Sequence, residues 1–135
     1  MSTCRKKRSS CARCKRRKSA KSAIAVRFID KCIRGLAVTD DPLLLPAQNT
    51  SRLTVYSYAI VNRGKEPVRV RVDVGPNLTN YASDREMQVP AGQTVVLVPT
   101  RFLKYTRIVL QAHEDHDAAV RCDVYFQAQT MVYRP

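Results

Sequence analysis

From residue 23 onward, apolar and polar side chains alternate in short runs separated by turn residues. Val68, Val70, Val72 and Val74 alternate with Arg69, Arg71 and Asp73, the period of a strand with one face in a core and the other in water. The last third repeats the pattern. Val120, Cys122, Val124 and Phe126 fall on one face, and Arg121, Asp123, Tyr125 and Gln127 on the other. Further strands are predicted over 53–61, 81–89, 94–98 and 102–111, closed by Asn62-Arg63-Gly64-Lys65, Gly75-Pro76-Asn77, Pro90-Ala91-Gly92 and the polar run His113 to Asp117. Near the start, Ile24, Val26 and Phe28 alternate with Ala25 and Arg27, and Cys32 to Val38 continues the apolar character. This predicts one bent or bulged strand, or two strands, over 24–38. Leu43, Leu44 and Leu45, between Asp40-Asp41-Pro42 and Pro46, are expected to tuck onto the core. Residues 130–135 extend the last strand or fray. Seven or eight short strands with no helical period predict an all-β fold: an antiparallel β-sandwich, jelly-roll-like, with a flexible N-terminal arm.

The arm is set apart by what it lacks. Residues 1–22 show no apolar period and no acid, and they hold ten bases: Arg5, Lys6, Lys7, Arg8, Arg13, Lys15, Arg16, Arg17, Lys18 and Lys21. The chain as a whole carries a net charge of +13, but outside the arm 14 bases face 11 acids, leaving about +3. The basicity therefore belongs mainly to the arm. Two units follow: 1–22, a basic cysteine-bearing connector, and 23–135, the β-sandwich. At 135 residues the chain holds one core and no second domain.

Several function classes drop out. No stretch reaches the roughly 18–20 apolar residues of a helical membrane span, so membrane insertion is not expected. The segment Ser19 to Arg27 is too broken for the apolar part of a secretory signal, so the usual export route is not expected either. A chain with four glycines and two histidines offers no phosphate-binding glycine loop and no framed nucleophile–base pair. An enzyme is not expected, and no cofactor is implied.

Cysteine placement is the most pointed signal. Cys4, Cys11 and Cys14 lie on the arm, whereas Cys32 and Cys122 lie in the first and last predicted strands. Five cysteines cannot close into pairs within one chain. Cys11 and Cys14 have the spacing of half a zinc site, but the second pair is missing, and no metal site is assigned. Cys32 and Cys122 admit three readings: small buried hydrophobes, an intrachain bridge if the first and last strands adjoin, or acceptors for a neighbour's arm. Twenty flexible residues span about 25 Å, enough to reach an adjoining domain. All five cysteines are candidates for intermolecular disulfides.

Two other clusters carry less. The arm's charge suits sequence-independent, salt-sensitive binding to nucleic acid, although no aromatic residue is present to stack on bases. His113-Glu114-Asp115-His116-Asp117 has metal-binding residue types but the position of a polar hairpin tip.

The stretch Tyr56 to Gln129 resembles a small β-sandwich family of unassigned function from spore-forming bacteria. The residues that carry the resemblance are Tyr56-Ser57-Tyr58, Pro90 to Pro99, Arg101 to Arg107 and Val124 to Gln129. In layout the chain also resembles the subunits of bacterial endospore appendages, jelly-roll domains whose cysteine-bearing connectors staple subunits into fibres. That resemblance implies that Cys11 and Cys14, with Cys4 as an extra candidate, bond to Cys32 on an early strand and Cys122 on the last strand of neighbours. Appendage connectors carry adjacent cysteines, whereas two residues separate Cys11 from Cys14 here.

The sequence therefore suggests a structural subunit of a self-assembling filament, with itself as partner. It would be extracellular or on a spore surface after release by cell lysis, where disulfides persist. The alternative is a nucleic-acid-binding or capsid-like packaging subunit that uses the basic arm.

Overall fold

The computed structural model describes residues 23–113 and 118–133. Nine strands follow one another without a helix among the described residues: β1 (Ile24–Val38), β2 (Leu43–Leu44), β3 (Gln48–Asn49), β4 (Val55–Asn62), β5 (Val68–Gly75), β6 (Ala82–Val89), β7 (Thr94–Leu97), β8 (Tyr105–Ala112) and β9 (Val120–Tyr133). All pairings are antiparallel. One sheet has the order β1-β9-β4-β7, and the other β2-β8-β5-β6 with β3 also on β8. β2 and β3 meet the same strand at Leu110 and Thr106, so they form one strand interrupted at Pro46, which has no N–H to donate. With those two merged, eight strands in two four-stranded sheets have the order of a jelly roll.

The alternation of β5 does what its period demands. Val68, Val70 and Val72 are fully buried and meet Ile60, Tyr58, Val124 and Phe126 from the opposing sheet in a single apolar core. Leu45 joins this core while Leu44 points to solvent. β7 proves to be an edge strand, so Leu97 is buried but Val96 is exposed.

The first strand is continuous and bulged. Its pairing with β9 steps from Ile33↔Val124 to Leu36↔Cys122, so two residues oppose Asp123 alone. Gly35 takes φ +67° there, a region that costs other residues steric strain. Its N–H donates to Asp123 Oδ1 at 2.9 Å, and Arg63 Nε donates to the other carboxylate oxygen at 2.6 Å. A buried carboxylate thus fixes the bulge. The tail does not fray before Tyr133, because it remains paired with the first residues of β1.

Beyond the bulge, β1 and β9 run on together as a two-stranded ribbon, and β1 is an edge of its sheet. Ile24, Val26 and Phe28 on β1, with Met131 and Tyr133 on β9, are all more than half exposed along it.

Candidate functional site

Cys32 lies on this ribbon. Its register partner is Tyr125, which belongs to the outward-facing set of β9, and Cys32 is exposed. It is therefore not the buried hydrophobe that its place in an apolar run allowed. The guanidinium of Arg34 is held firmly charged, first by a hydrogen bond to Cys32 and then by the nearby Tyr125. Along the same face the register pairs Phe28 with Gln129, Val26 with Met131 and Ile24 with Tyr133, an apolar row leading from the thiol to the end of the ribbon.

Cys122 is the opposite case. It has no exposed surface, packs in the core, and burial pushes its thiol up to about 11, with the charge of Asp123 adding to the effect. A thiol in that state is inert. The intrachain bridge fails although β1 and β9 adjoin. Cys32 faces Tyr125, three residues along β9 from Cys122, which is a separation of about 10 Å. Disulfides need Cα atoms within about 7 Å. The two sulfurs also lie on opposite faces of the sheet.

Cys4, Cys11 and Cys14 and all ten arm bases lie outside the described residues, as does most of the 113–117 cluster. Among the described residues, no group of three metal-ligating side chains comes together.

A second feature was invisible to sequence reasoning. Beneath the free end of the ribbon is a cleft of about 810 Å³ with Arg27, Arg52 and Lys104 in its walls and no carboxylate. Arg27 comes from the inner side of β1, and the other two come from separate loops. These loops are fastened. Thr50 Oγ1 donates to Leu103 O at 2.8 Å, Thr54 N donates to Gln129 O at 2.9 Å, and the Thr130 hydroxyl donates to the Arg52 carbonyl. None of the three cations pairs with an acid among the described residues. Nothing local in the sequence could have signalled it, because the three residues are 25 and 52 positions apart.

The other charged contacts are occupied in holding the fold. Asp73, buried on β5, accepts from Arg71 Nε at 2.8 Å and Arg107 Nε at 3.1 Å, and Arg107 stacks on Tyr81. Asp84 accepts from Thr100 N, Arg101 N and Arg101 Nε, which locks the loop before β8.

Residues 49–130, from β3 almost to the end of β9, match the family described as Domain of unknown function (DUF6385). The chain belongs to this family. No curated protein matches this DUF6385 member in sequence. Among solved structures it is similar to PirA, with 15% identity and a TM-score of 0.52 over 73% of this chain and 92% of that one. It is also similar to a Bacillus endospore appendage, of the family described as disulfide-linked pili, with 11% identity and a TM-score of 0.51 over 83% of this chain and 91% of that one. A chain of Desmodium yellow mottle tymovirus gives 11% identity and a TM-score of 0.53 over 83% and 89%. At these identities the likeness is one of fold.

Proposed function

We propose that this DUF6385 chain is a structural subunit of a self-assembling extracellular filament, in which the N-terminal arm links neighbouring subunits through intermolecular disulfides. The observation that carries the proposal is the exposed thiol of Cys32 on the outer face of an edge strand. A thiol displayed there is open to a second chain, and three more cysteines lie within the first 14 residues of each copy. The arm joins the domain at the start of β1, so it leaves from the free end of the ribbon.

The apolar row of Ile24, Val26, Phe28, Met131 and Tyr133 gives a neighbouring surface something to bury before the sulfurs meet. The free edge of β1 also offers unpaired backbone groups for strand addition. Cys32 is the acceptor in this scheme, and Cys122 is left as a core residue. Each bond removes two protons and two electrons from a pair of thiols, which pass to dioxygen or to an exchanging small disulfide. Such bonds persist outside the reducing cytosol, so assembly belongs after release from the cell. The fold shared with a disulfide-linked pilus subunit supports this reading.

Gel electrophoresis under denaturing conditions tests it. Oxidised full-length protein should run as a ladder that collapses to the 15.3 kDa subunit on reduction. Cys32→Ser should shorten the ladder to the species that arm–arm bonds alone can make, while Cys122→Ala should leave it intact. Wild-type monomer in both lanes would overturn the proposal.

A further inference from the structure

The cleft beneath the ribbon and the opposite end of the sandwich carry opposite charge. At the cleft, Arg27, Arg52 and Lys104 stand over one concave surface with no acid to offset them. Three like charges are held near one another there only because the loops beneath are fastened by backbone bonds. At the far end, β8 stops at Ala112 and β9 starts at Val120, and the chain between them includes Glu114, Asp115 and Asp117. The exposed Asp40 and Asp41 belong to the same end. Gln111 Nε2 donates to the Asp40 carbonyl at 2.7 Å, and Ala112 N donates to Thr39 O at 2.7 Å. Neither aspartate forms an ion pair with a described residue.

We propose that the basic cleft of one subunit receives the acidic 114–117 segment of a second copy of this chain, joining subunits head to tail. The inference deepens the filament reading above and rests on it.

Distance decides that the acid comes from another copy. Arg27 is in register with Thr130, and Val38 with Val120, so the cleft and the acidic end are ten strand residues apart, about 33 Å. No subunit can fold its own 114–117 segment back over that length. Two complementary surfaces at opposite poles make a heterologous contact, which is not used up by adding a subunit and therefore propagates. The three acids of the segment match the three cations of the cleft in number. Asp40 and Asp41 extend the negative field around them, which steers encounter into one orientation. The arm begins at the basic pole, so a head-to-tail contact also delivers its cysteines to the junction between copies.

Sedimentation velocity of the full chain, kept in reductant so that no disulfide contributes, tests the contact. Wild-type protein should associate at low salt and dissociate at high salt. A cleft variant (Arg27→Glu, Arg52→Glu, Lys104→Glu) and a tip variant (Glu114→Lys, Asp115→Lys, Asp117→Lys) should each associate at least tenfold more weakly alone. An equimolar mixture should recover association, because each reversed pole then finds its complement in the other variant. If either triple variant fails to melt cooperatively, the pair Arg52→Glu and Asp115→Lys serves the same swap.

Association of either variant at wild-type strength would overturn the proposal, as would failure of the mixture to recover. Wild-type protein that stays monomeric at low salt would overturn it as well. If the cleft variant instead loses binding to a single-stranded oligonucleotide while self-association is unchanged, the cleft is a polyanion site and the proposal falls. The filament reading is scored separately on oxidised samples. A disulfide ladder from all variants leaves that reading standing without this contact, and salt-sensitive association without any ladder does the reverse.

Discussion

Cys32 and Cys122 lie on neighbouring strands, on opposite faces of one sheet. One sulfur is open to solvent and the other sits in the core. The same residue type thus has two chemistries, set by the face it occupies. In native protein with the arm cysteines changed to serine, a maleimide should label Cys32 within minutes. Cys122 should react only through unfolding, orders of magnitude more slowly. Mass spectrometry of the labelled peptides reads both, and early labelling of Cys122 would contradict the packing described.

The bulge in β1 rests on one backbone conformation. A methyl group added at Gly35 would meet nothing within 4 Å, so Gly35→Ala isolates the strain of φ +67° from any clash. Denaturant unfolding should show a loss of about 1–2 kcal/mol. A neutral result would mean that β1 can straighten without consequence.

Asp123 ties the bulge to pH. The hydrogen bond from Arg63, and then that from Gly35 N–H, hold its carboxyl below the usual carboxylate range. A depressed value contributes stability that is fully present above the unfolded value of about 3.9 and is lost as pH falls through the folded one. Asp123→Asn should therefore melt below wild type near neutral pH, and the gap should narrow below about pH 4. Thermal melts across the acid range check this, and a gap that widens with acidity would contradict it.

Tyr58 shows a cost that the fold carries. Its ring packs between Tyr56 and Phe126, but its buried hydroxyl has no hydrogen-bond partner, and burial drives its ionisation far upward. Removing an unpaired buried hydroxyl relieves a desolvation penalty of about 1–3 kcal/mol. Tyr58→Phe should match or exceed wild-type stability, by up to about 8 °C in Tm per kcal/mol gained. A clear loss would reveal a partner for the hydroxyl.

Strand identity was legible because a period of two survives wherever one face meets a core. Val68 to Val74 and Val120 to Phe126 announce their inward sides, and a bend in 24–38 was expected from its broken pattern. The outer row was less readable. Ile24, Val26 and Phe28 alternate like core residues yet are 66%, 64% and 58% exposed, because the ribbon runs past the opposing sheet. Periodicity assigns a strand its two faces but not what covers them. For the same reason Cys32 was open to a buried reading. Asp123 was read as an outward polar residue, and only the bulge opposite it explains why it is buried. The cleft cations come from three distant segments, so only the tertiary structure brings them together. The arm's cysteines and bases remain known from the sequence alone.

Peptide mapping of oxidised full-length protein, digested without reductant, bears most directly on the disulfide-linked assembly. Mixing isotopically light and heavy subunits before oxidation identifies bonds that cross between chains. The expected result is light–heavy peptides joining Cys4, Cys11 or Cys14 of one copy to Cys32 of another, with Cys122 recovered as a free thiol. Free thiols throughout, or arm cysteines bonded only within their own chain, would contradict it.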